Sequence, residues 1–169
     1  MDNLQPQTPL GYPSGEHPSG EQNQHLLVLV FWRDTILVMS HKKDYSVWHT
    51  EKTDLQENKT RPGFYEREVW FCSMGTNIGY EQDGRGEKFL RPVVIIKKFN
   101  KEILWAIPLT TKEKQGKYYF SFALGEGGIS TAILSQLRLI DAKRLEYKIG
   151  NISKSDFVIL KLKLTQLIA

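Results

Sequence analysis

The chain has few of the residues on which several common kinds of site depend. Its 169 residues include a single cysteine, Cys72, and four histidines. One cysteine excludes an intrachain disulfide and a cysteine-based zinc site, and its place inside an apolar run (residues 69–72) predicts a buried, unreactive thiol. This composition suits a reducing compartment, so we expect a cytoplasmic protein. His41 and His49 precede the predicted β domain, and we expect no metal site on them.

Long hydrophobic runs are also missing. The apolar stretch 26–32 is too short to cross a bilayer and is followed by the charged pair Arg33–Asp34, so we expect no membrane association. It lacks the basic start and small-residue cleavage site of a signal peptide. Residues 1–24 hold four of the seven prolines and almost no large apolar residue, which predicts disorder. Met39 offers an alternative start, so we interpret residues 1–38 as a disordered or non-native extension.

The net charge of +4 is distributed unevenly along the chain. Residues 1–38 contain one arginine and four acidic residues, whereas the remainder holds 22 basic and 15 acidic residues. The sequence therefore predicts a basic domain behind an unrelated acidic extension. Excess positive charge favours polyanionic partners, which include nucleic acids and acidic peptides.

Hydrophobic periodicity predicts a small β domain with a helix at each end. We expect a short helix at residues 44–58, within an N-terminal segment and linker (39–62), and a β domain at 63–169. The predicted strands are 68–74, 92–98, 103–109, 117–124 and 132–140, followed by a helical turn at 141–145. Ser153 should cap a last helix with an apolar stripe at Phe157, Leu160, Leu164 and Ile168. Short strands in succession indicate a mainly β, α+β fold built on a strongly bent sheet or barrel.

Two neighbouring strand ends carry side chains that suit a phosphodiester. Arg91 lies at the root of the strand that begins with Pro92, directly after a polar loop. The next strand ends in Pro108-Leu109-Thr110-Thr111. A guanidinium offers a planar fork of donors that matches phosphate oxygens, and the threonine hydroxyl can donate to the same group. Thr110 could instead end its strand for packing reasons alone.

A series of motifs in fixed order resembles the PemK/MazF family of toxin endoribonucleases from bacterial toxin–antitoxin pairs. The matching stretches are Arg67-Glu68-Val69-Trp70, Gly79-x-Glu81-Gln82-x-Gly84, Arg91-Pro92-Val93-Val94-Ile95-Ile96, Pro108-Leu109-Thr110-Thr111, and Gln136-Leu137-Arg138-Leu139-Ile140-Asp141 with Arg144-Leu145. They span about residues 65–168. No single motif is specific, but together at these spacings they are. The resemblance implies an SH3-like barrel of five to seven strands with a C-terminal helix, a homodimer, and cleavage of single-stranded RNA without metal or other cofactor.

The resemblance also implies the residues of the site. It places Arg91 and Thr110 at the reacting phosphate as catalytic residues. The residues expected to contact RNA are Glu81, Gln82, Thr111, Ser135, Gln136 and Arg138. Two of these have structural alternatives, because Glu81 could pair with Arg85 or Lys88 and Arg138 could pair with Asp141. Gln136 and Arg138 alternate with apolar residues, so we expect them to share one face of a strand.

The chain departs from the family at positions that bear on proton transfer. Some members carry an acid before the glutamine of the predicted fifth strand, an arginine two residues earlier, and a histidine before the loop glutamate. This chain has Ser135, Ile133 and Tyr80 there. The general base therefore stays open between Glu81, water and the substrate itself.

The implied partners are single-stranded RNA, notably mRNA, and an acidic, partly disordered antitoxin. Operator DNA is expected as a partner only together with that antitoxin. Two other functions compete with the nuclease hypothesis. One is a non-catalytic SH3-like module that binds nucleic acid or an acidic peptide, and the other is a gyrase-directed toxin of the same fold.

Overall fold

The computed structural model describes residues 43–125 and 128–169. The elements are helix α1 (Tyr45–Glu57), strands β1 (Glu68–Ser73), β2 (Leu90–Lys98), β3 (Ile103–Thr110), β4 (Tyr119–Ala123), β5 (Ile129–Ile133), β6 (Arg138–Asp141) and β7 (Leu145–Asn151), and helix α2 (Lys154–Ile168). Short 3₁₀ turns at Leu134–Gln136 and Ala142–Arg144 flank β6. The predicted extension 1–38 lies outside the described residues. Within the described ranges, no helix combines the length and hydropathy that a bilayer span requires.

The strands form an antiparallel sheet that bends around β3. In the described part of the chain, six of the seven strands take the order β4-β5-β3-β2-β1-β7, and the seventh, β6, pairs with β3. Along the same edge of β3, Ile103–Ala106 pair with β6 while Leu109 and Thr110 pair with β5. One edge of the long strand β3 thus pairs with two short strands, β6 and β5, and this arrangement curls the sheet. The predicted α+β class, with a strongly bent sheet and a helix at each end, is confirmed.

Strand β2 separates two apolar clusters. Val94 and Ile96 belong to the cluster that α2 covers, whereas Val93 and Ile95 face a second cluster around Trp70. All four side chains are at most 3% exposed. A strand that is buried on both faces reads as a continuous apolar run, which explains the Val-Val-Ile-Ile sequence.

Both helices begin at capping side chains. The Asp44 carboxylate accepts from the backbone N–H of Val47 (3.0 Å), and the Ser153 hydroxyl accepts from that of Asp156 (3.0 Å). These bonds satisfy amide groups that have no partner inside the helix. The apolar stripe of α2 ends earlier than predicted, because Leu164 is buried but Ile168 is 73% exposed beyond the edge of the core.

The predicted strands were wrong at the C-terminal end of the sheet. The predicted strand 132–140 is two strands, β5 and β6, separated by the 3₁₀ turn Leu134–Gln136. Gln136 lies in that turn and Arg138 in β6, so they do not share a strand face. Strand β7 was not predicted, although residues 145–149 alternate between apolar and charged side chains. Most of its side chains are exposed in the structure.

Glu68 is a buried carboxylate that joins β1 to β7. Its Oε2 accepts from Trp70 Nε1 (2.9 Å) and the Tyr65 backbone N–H (2.9 Å), and its Oε1 pairs with Lys148 Nζ (2.7 Å). Burial by itself would raise the pKa of Glu68, but these hydrogen bonds and the Lys148 charge outweigh it and hold the pKa below its ordinary 4.5.

Replacing Glu68 with glutamine should lower the free energy of unfolding at pH 7 by about 2 kcal/mol, because the amide NH₂ must face one of three donors. Urea unfolding curves measure this difference. It should be constant above pH 4.5 and shrink at lower pH, since a lowered folded-state pKa contributes stability that disappears as the carboxylate protonates. The control is Glu146→Gln, which removes an exposed pair with Lys88. Equal losses in both variants would contradict the assignment.

Candidate active site

Arg91 is held at the start of β2 by two backbone carbonyls. Its Nε donates to the carbonyl of Asp83 and its Nη1 donates to that of Leu109 (3.2 Å). A guanidinium carries five N–H groups, so donors remain for a ligand. Burial lowers the pKa of Arg91, as does the nearby charge of Arg85, while Asp83 raises it. Arginine nevertheless stays protonated in proteins, so this group supplies a fixed positive charge.

Thr110 ends β3, one residue after the carbonyl that accepts from Arg91. Its Oγ1 accepts from the backbone N–H of Lys112 (3.2 Å), which orients the hydroxyl and leaves its hydrogen for another acceptor. Arg91 and Thr110 line one groove with a volume of about 540 Å³, called here the Arg91 groove. Its walls are Phe71, Gln82, Arg85, Gly86, Leu90, Arg91, Pro92, Leu109, Thr110, Thr111, Lys112, Lys114 and Ile133.

The Arg91 groove is strongly cationic. Among the described residues its lining includes Arg85, Arg91, Lys112 and Lys114 but no carboxylate and no imidazole. Like charges that converge on one concave surface raise the local concentration of an anion. The groove therefore suits a phosphate-bearing ligand, with Phe71 and Pro92 as apolar surface beside the charge.

The β1–β2 loop (residues 74–89) sets the position of the Asp83 carbonyl. The Asp83 carboxylate accepts from the backbone N–H of Asn77 (2.6 Å), and Gly84 N–H donates to the carbonyl of Gly75 (2.8 Å). Gly84 lies so close to Phe89 that a Cβ there would be 1.5 Å from the Phe89 carbonyl oxygen. Sequence reasoning missed Asp83 and Leu109, because they act through backbone oxygens that leave no side-chain signature.

The other predicted RNA contacts divide between different places. Gln82 and Thr111 line the Arg91 groove. Glu81 and Arg138 line a separate cavity of about 430 Å³ beside α1. Ser135 is exposed on the 3₁₀ turn and does not line the groove.

Gln136 holds the β1–β2 loop. Its Nε2 donates to the carbonyl of Tyr80 (3.3 Å) and its Oε1 accepts from the backbone N–H of Gln82 (3.4 Å). Both polar atoms of the amide are therefore engaged with backbone groups. In this arrangement Gln136 orients the loop beside the groove.

Two predicted structural alternatives are wrong: the described ion pairs include neither Glu81 with Arg85 or Lys88 nor Arg138 with Asp141. Lys88 pairs with Glu146, while the Glu81 carboxylate lies 3.4 Å from the backbone nitrogen of Ile78. Asp141 pairs with Arg61 (3.1 Å). Arg138 Nη2 instead donates to the side-chain oxygen of Asn77 (3.3 Å), and its Nη1 is buried without a hydrogen-bond partner.

Cys72 is adjacent in sequence to a residue of the groove, but its thiol takes no part in the chemistry of the groove. It is fully buried in β1, opposite Arg91 in the strand register. Burial raises the pKa of its thiol to about 12, so the nucleophilic thiolate is not populated near neutral pH. Across residues 43–125 and 128–169, no three His, Cys, Asp or Glu side chains cluster closely enough to share a metal ion.

Comparison with known proteins relates the chain to one family. The family of PemK-like, MazF-like toxins of type II toxin–antitoxin systems matches residues 65–168. MazF from Deinococcus radiodurans is 15% identical, with 65% of this chain and 98% of that chain covered and a TM-score of 0.50. An endoribonuclease from a mycobacterial species is 10% identical, with 65% and 95% covered and a TM-score of 0.50. No curated protein sequence matches the chain.

A further mycobacterial structure is an endoribonuclease in complex with its cognate antitoxin, at 12% identity, 63% and 95% coverage and a TM-score of 0.48. At such identities the two solved structures with TM-scores of 0.50 support the fold alone, and the bent antiparallel sheet with its terminal helix agrees with them. Membership follows from the family match, which spans the domain from β1 to α2. The chain belongs to the PemK-like, MazF-like toxins of type II toxin–antitoxin systems.

Proposed function

We propose that this toxin is an endoribonuclease that cleaves single-stranded RNA, notably mRNA, with sequence selectivity and without a metal ion. The observation that carries the proposal is the convergence of Arg91 and Thr110 on one cationic groove. Lys112 and Lys114 extend the positive surface along which an RNA backbone can lie. The family also supports a cytoplasmic toxin that acts on cellular RNA.

The chemistry needs only water and groups that the RNA and the groove supply. The 2′-hydroxyl oxygen attacks the adjacent phosphorus, the bond to the 5′-oxygen breaks, and a 2′,3′-cyclic phosphate and a 5′-hydroxyl result. Negative charge grows on the phosphoryl oxygens on the way to the transition state, where the N–H groups of Arg91 and the hydroxyl of Thr110 stabilise it. The departing 5′-oxygen takes a proton from water, while the Arg91 guanidinium, which stays protonated, stabilises the charge on that oxygen by a hydrogen bond.

The proton of the 2′-hydroxyl must leave by another route. Arg91 is already protonated, and Glu81 lines the cavity beside α1 rather than the groove. We therefore assign this proton to water or to a phosphate oxygen of the substrate. Without a dedicated base the reaction forgoes the roughly 100-fold or greater gain that general base catalysis gives, so turnover should be slow.

The proposed partners follow from the charge of the groove. An antitoxin that neutralises the toxin should present a flexible acidic segment, with carboxylates against Arg85 and Lys112 and an apolar side chain against Phe71. We further propose a homodimer as the active form, and contact with operator DNA only when the antitoxin is bound.

Replacing Thr110 with valine should lower the single-turnover rate of RNA cleavage about 10-fold, because one neutral hydrogen bond to the transition state is lost while shape is kept. Quenched-flow or gel assays on a labelled RNA would measure the rate. Thr165→Val on α2 is the matched control, since that hydroxyl only bonds the Lys161 carbonyl (3.0 Å) within the helix. Equal rates for Thr110→Val and wild type would remove Thr110 from the mechanism.

Expression in cells tests the function and separates it from its rivals. The full chain should stop growth and deplete mRNA, whereas Arg91→Ala should do neither at the same protein level. Double-strand DNA breaks that precede any loss of message would indicate a gyrase-directed toxin. A purified protein that retards RNA in gels yet leaves many long RNAs intact would indicate a binding module. The described lining of the groove has no acid–base side chain, which favours this alternative.

A further inference from the structure

Helix α1 lies outside the part of the chain that matches the family, which begins at residue 65. It is nevertheless tied to the β1–β2 loop of that domain. Tyr45 Oη donates to the carbonyl of Asn77 (3.3 Å), and Lys43 Nζ donates to the same oxygen (2.5 Å). The helix therefore contacts the loop that carries an acceptor for Arg91.

Trp48 is the apolar anchor of α1. It is 7% exposed, and its ring meets Phe89 edge to face at a centroid distance of 5.3 Å. The guanidinium of Arg144 lies 5.4 Å from the ring centroid, in cation–π range. A Cβ on Gly75 would come within 2.3 Å of the indole, so the absence of a side chain there makes room for the ring. The two ends of the β1–β2 loop thus pack against one side chain of α1.

Lys43 lies two residues before α1 and connects the start of this helix to Arg91 through Asp83. Its Nζ forms an ion pair with Asp83 Oδ2 (2.8 Å), and both side chains are about one-third exposed or less. The other carboxylate oxygen of Asp83 accepts from the Asn77 backbone, and the carbonyl of Asp83 accepts from Arg91 Nε. Lys43 therefore holds the side chain of Asp83, and Arg91 bonds its backbone carbonyl.

We propose that α1 is a strut added to the toxin domain, which fixes the Asp83 carbonyl and so positions the Arg91 guanidinium in the groove. Lys43 and Trp48 are positioning residues in this scheme and touch no substrate. The expected effect on RNA cleavage rests on the proposed function, whereas the expected effect on the position of the Arg91 guanidinium does not. Loss of the Lys43–Asp83 pair should let the loop move and free Arg91 Nε from its carbonyl.

The direct test follows the Arg91 Nε–H proton by nitrogen–proton NMR of the full chain, with the signal assigned by its loss in Arg91→Lys. Lys43→Met should speed exchange of this proton with water by up to about 5-fold, since a partly exposed ion pair shifts a local equilibrium by about this factor at most. Lys43→Arg should restore slow exchange. Lys52→Met, which removes a lysine charge from α1 itself, should leave exchange unchanged. Unchanged exchange in Lys43→Met would overturn the proposal.

Steady-state cleavage of RNA gives the second readout. Lys43→Met should lower kcat about 5-fold at unchanged KM, because a misplaced donor weakens the transition state more than the bound substrate. A change confined to KM would overturn a positioning role for Lys43. If wild type cleaves no RNA but Nε–H exchange responds to Lys43→Met, the nuclease proposal fails and the strut stands. If wild type cleaves RNA and neither readout responds, the strut alone fails.

Discussion

Replacing Arg91 with lysine should lower the rate constant for RNA cleavage about 100-fold even though the positive charge is kept. In the structure Nε and Nη1 are occupied by the carbonyls of Asp83 and Leu109, and the rest of the planar fork is left for the phosphate. An ammonium group cannot bond both carbonyls and still present a fixed pair of donors to the groove. Alanine, which removes charge and fork together, should cost about 1,000-fold.

Single-turnover assays on purified full-length protein measure both variants. Arg61→Lys is the matched control, because Arg61 pairs with Asp141 (3.1 Å) and does not line the groove. The Arg61→Lys variant should cleave RNA at the wild-type rate. A lysine at position 91 that supports wild-type cleavage would show that charge alone suffices, and the assigned hydrogen-bond geometry would then be wrong.

Replacing Gly84 with alanine should lower cleavage about 100-fold, because the loop that carries Asp83 must move and a displacement of about 1 Å at a catalytic group has effects of this size. The added Cβ would meet the backbone oxygen of Phe89 at 1.5 Å and its carbonyl carbon at 2.0 Å. Backbone atoms cannot rotate away as a side chain can. The β1–β2 loop must therefore open, and the Asp83 carbonyl moves away from Arg91 Nε.

Gly63→Ala provides the control for this substitution. Gly63 precedes β1, and a Cβ there meets nothing within 4 Å. Its cleavage rate and urea midpoint should match those of wild type. Gly84→Ala should keep the far-ultraviolet circular dichroism of the β sheet, since the clash lies in a loop and both apolar clusters are intact. Wild-type cleavage by Gly84→Ala would show that the loop does not position Arg91.

The sequence was most informative where burial is continuous. Strand β2 was predicted from Val93–Ile96, because these side chains fill both clusters and tolerate no polar residue. Strand β7 was missed although residues 145–149 alternate between apolar and charged. Its side chains are mostly exposed, and it pairs with β1 through the backbone. An alternation of only five residues is a weak signal by itself, so a strand held mainly by its backbone hydrogen bonds is overlooked.

In the candidate site, too, some residues could be predicted from the sequence and others could not. Arg91 and Thr110 could be proposed from sequence because strand ends and motif order place their side chains. Gln136 was assigned to RNA, yet its amide bonds the backbone around Tyr80 and Gln82. Glu81 and Gln82 are adjacent in sequence but line different cavities. Which side of an irregular loop a residue faces depends on its backbone path, which no periodicity encodes.

Analysis of the RNA ends produced by the purified full-length toxin tests the account most directly. A long natural mRNA, incubated with wild type in the presence of a metal chelator, should yield fragments that end in 2′,3′-cyclic phosphate and begin with 5′-hydroxyl. Arg91→Ala should yield none in the same time. Fragments with 5′-phosphate ends, cleavage that the chelator abolishes, or equal cleavage by Arg91→Ala would contradict attack by the 2′-hydroxyl at a phosphate held by Arg91.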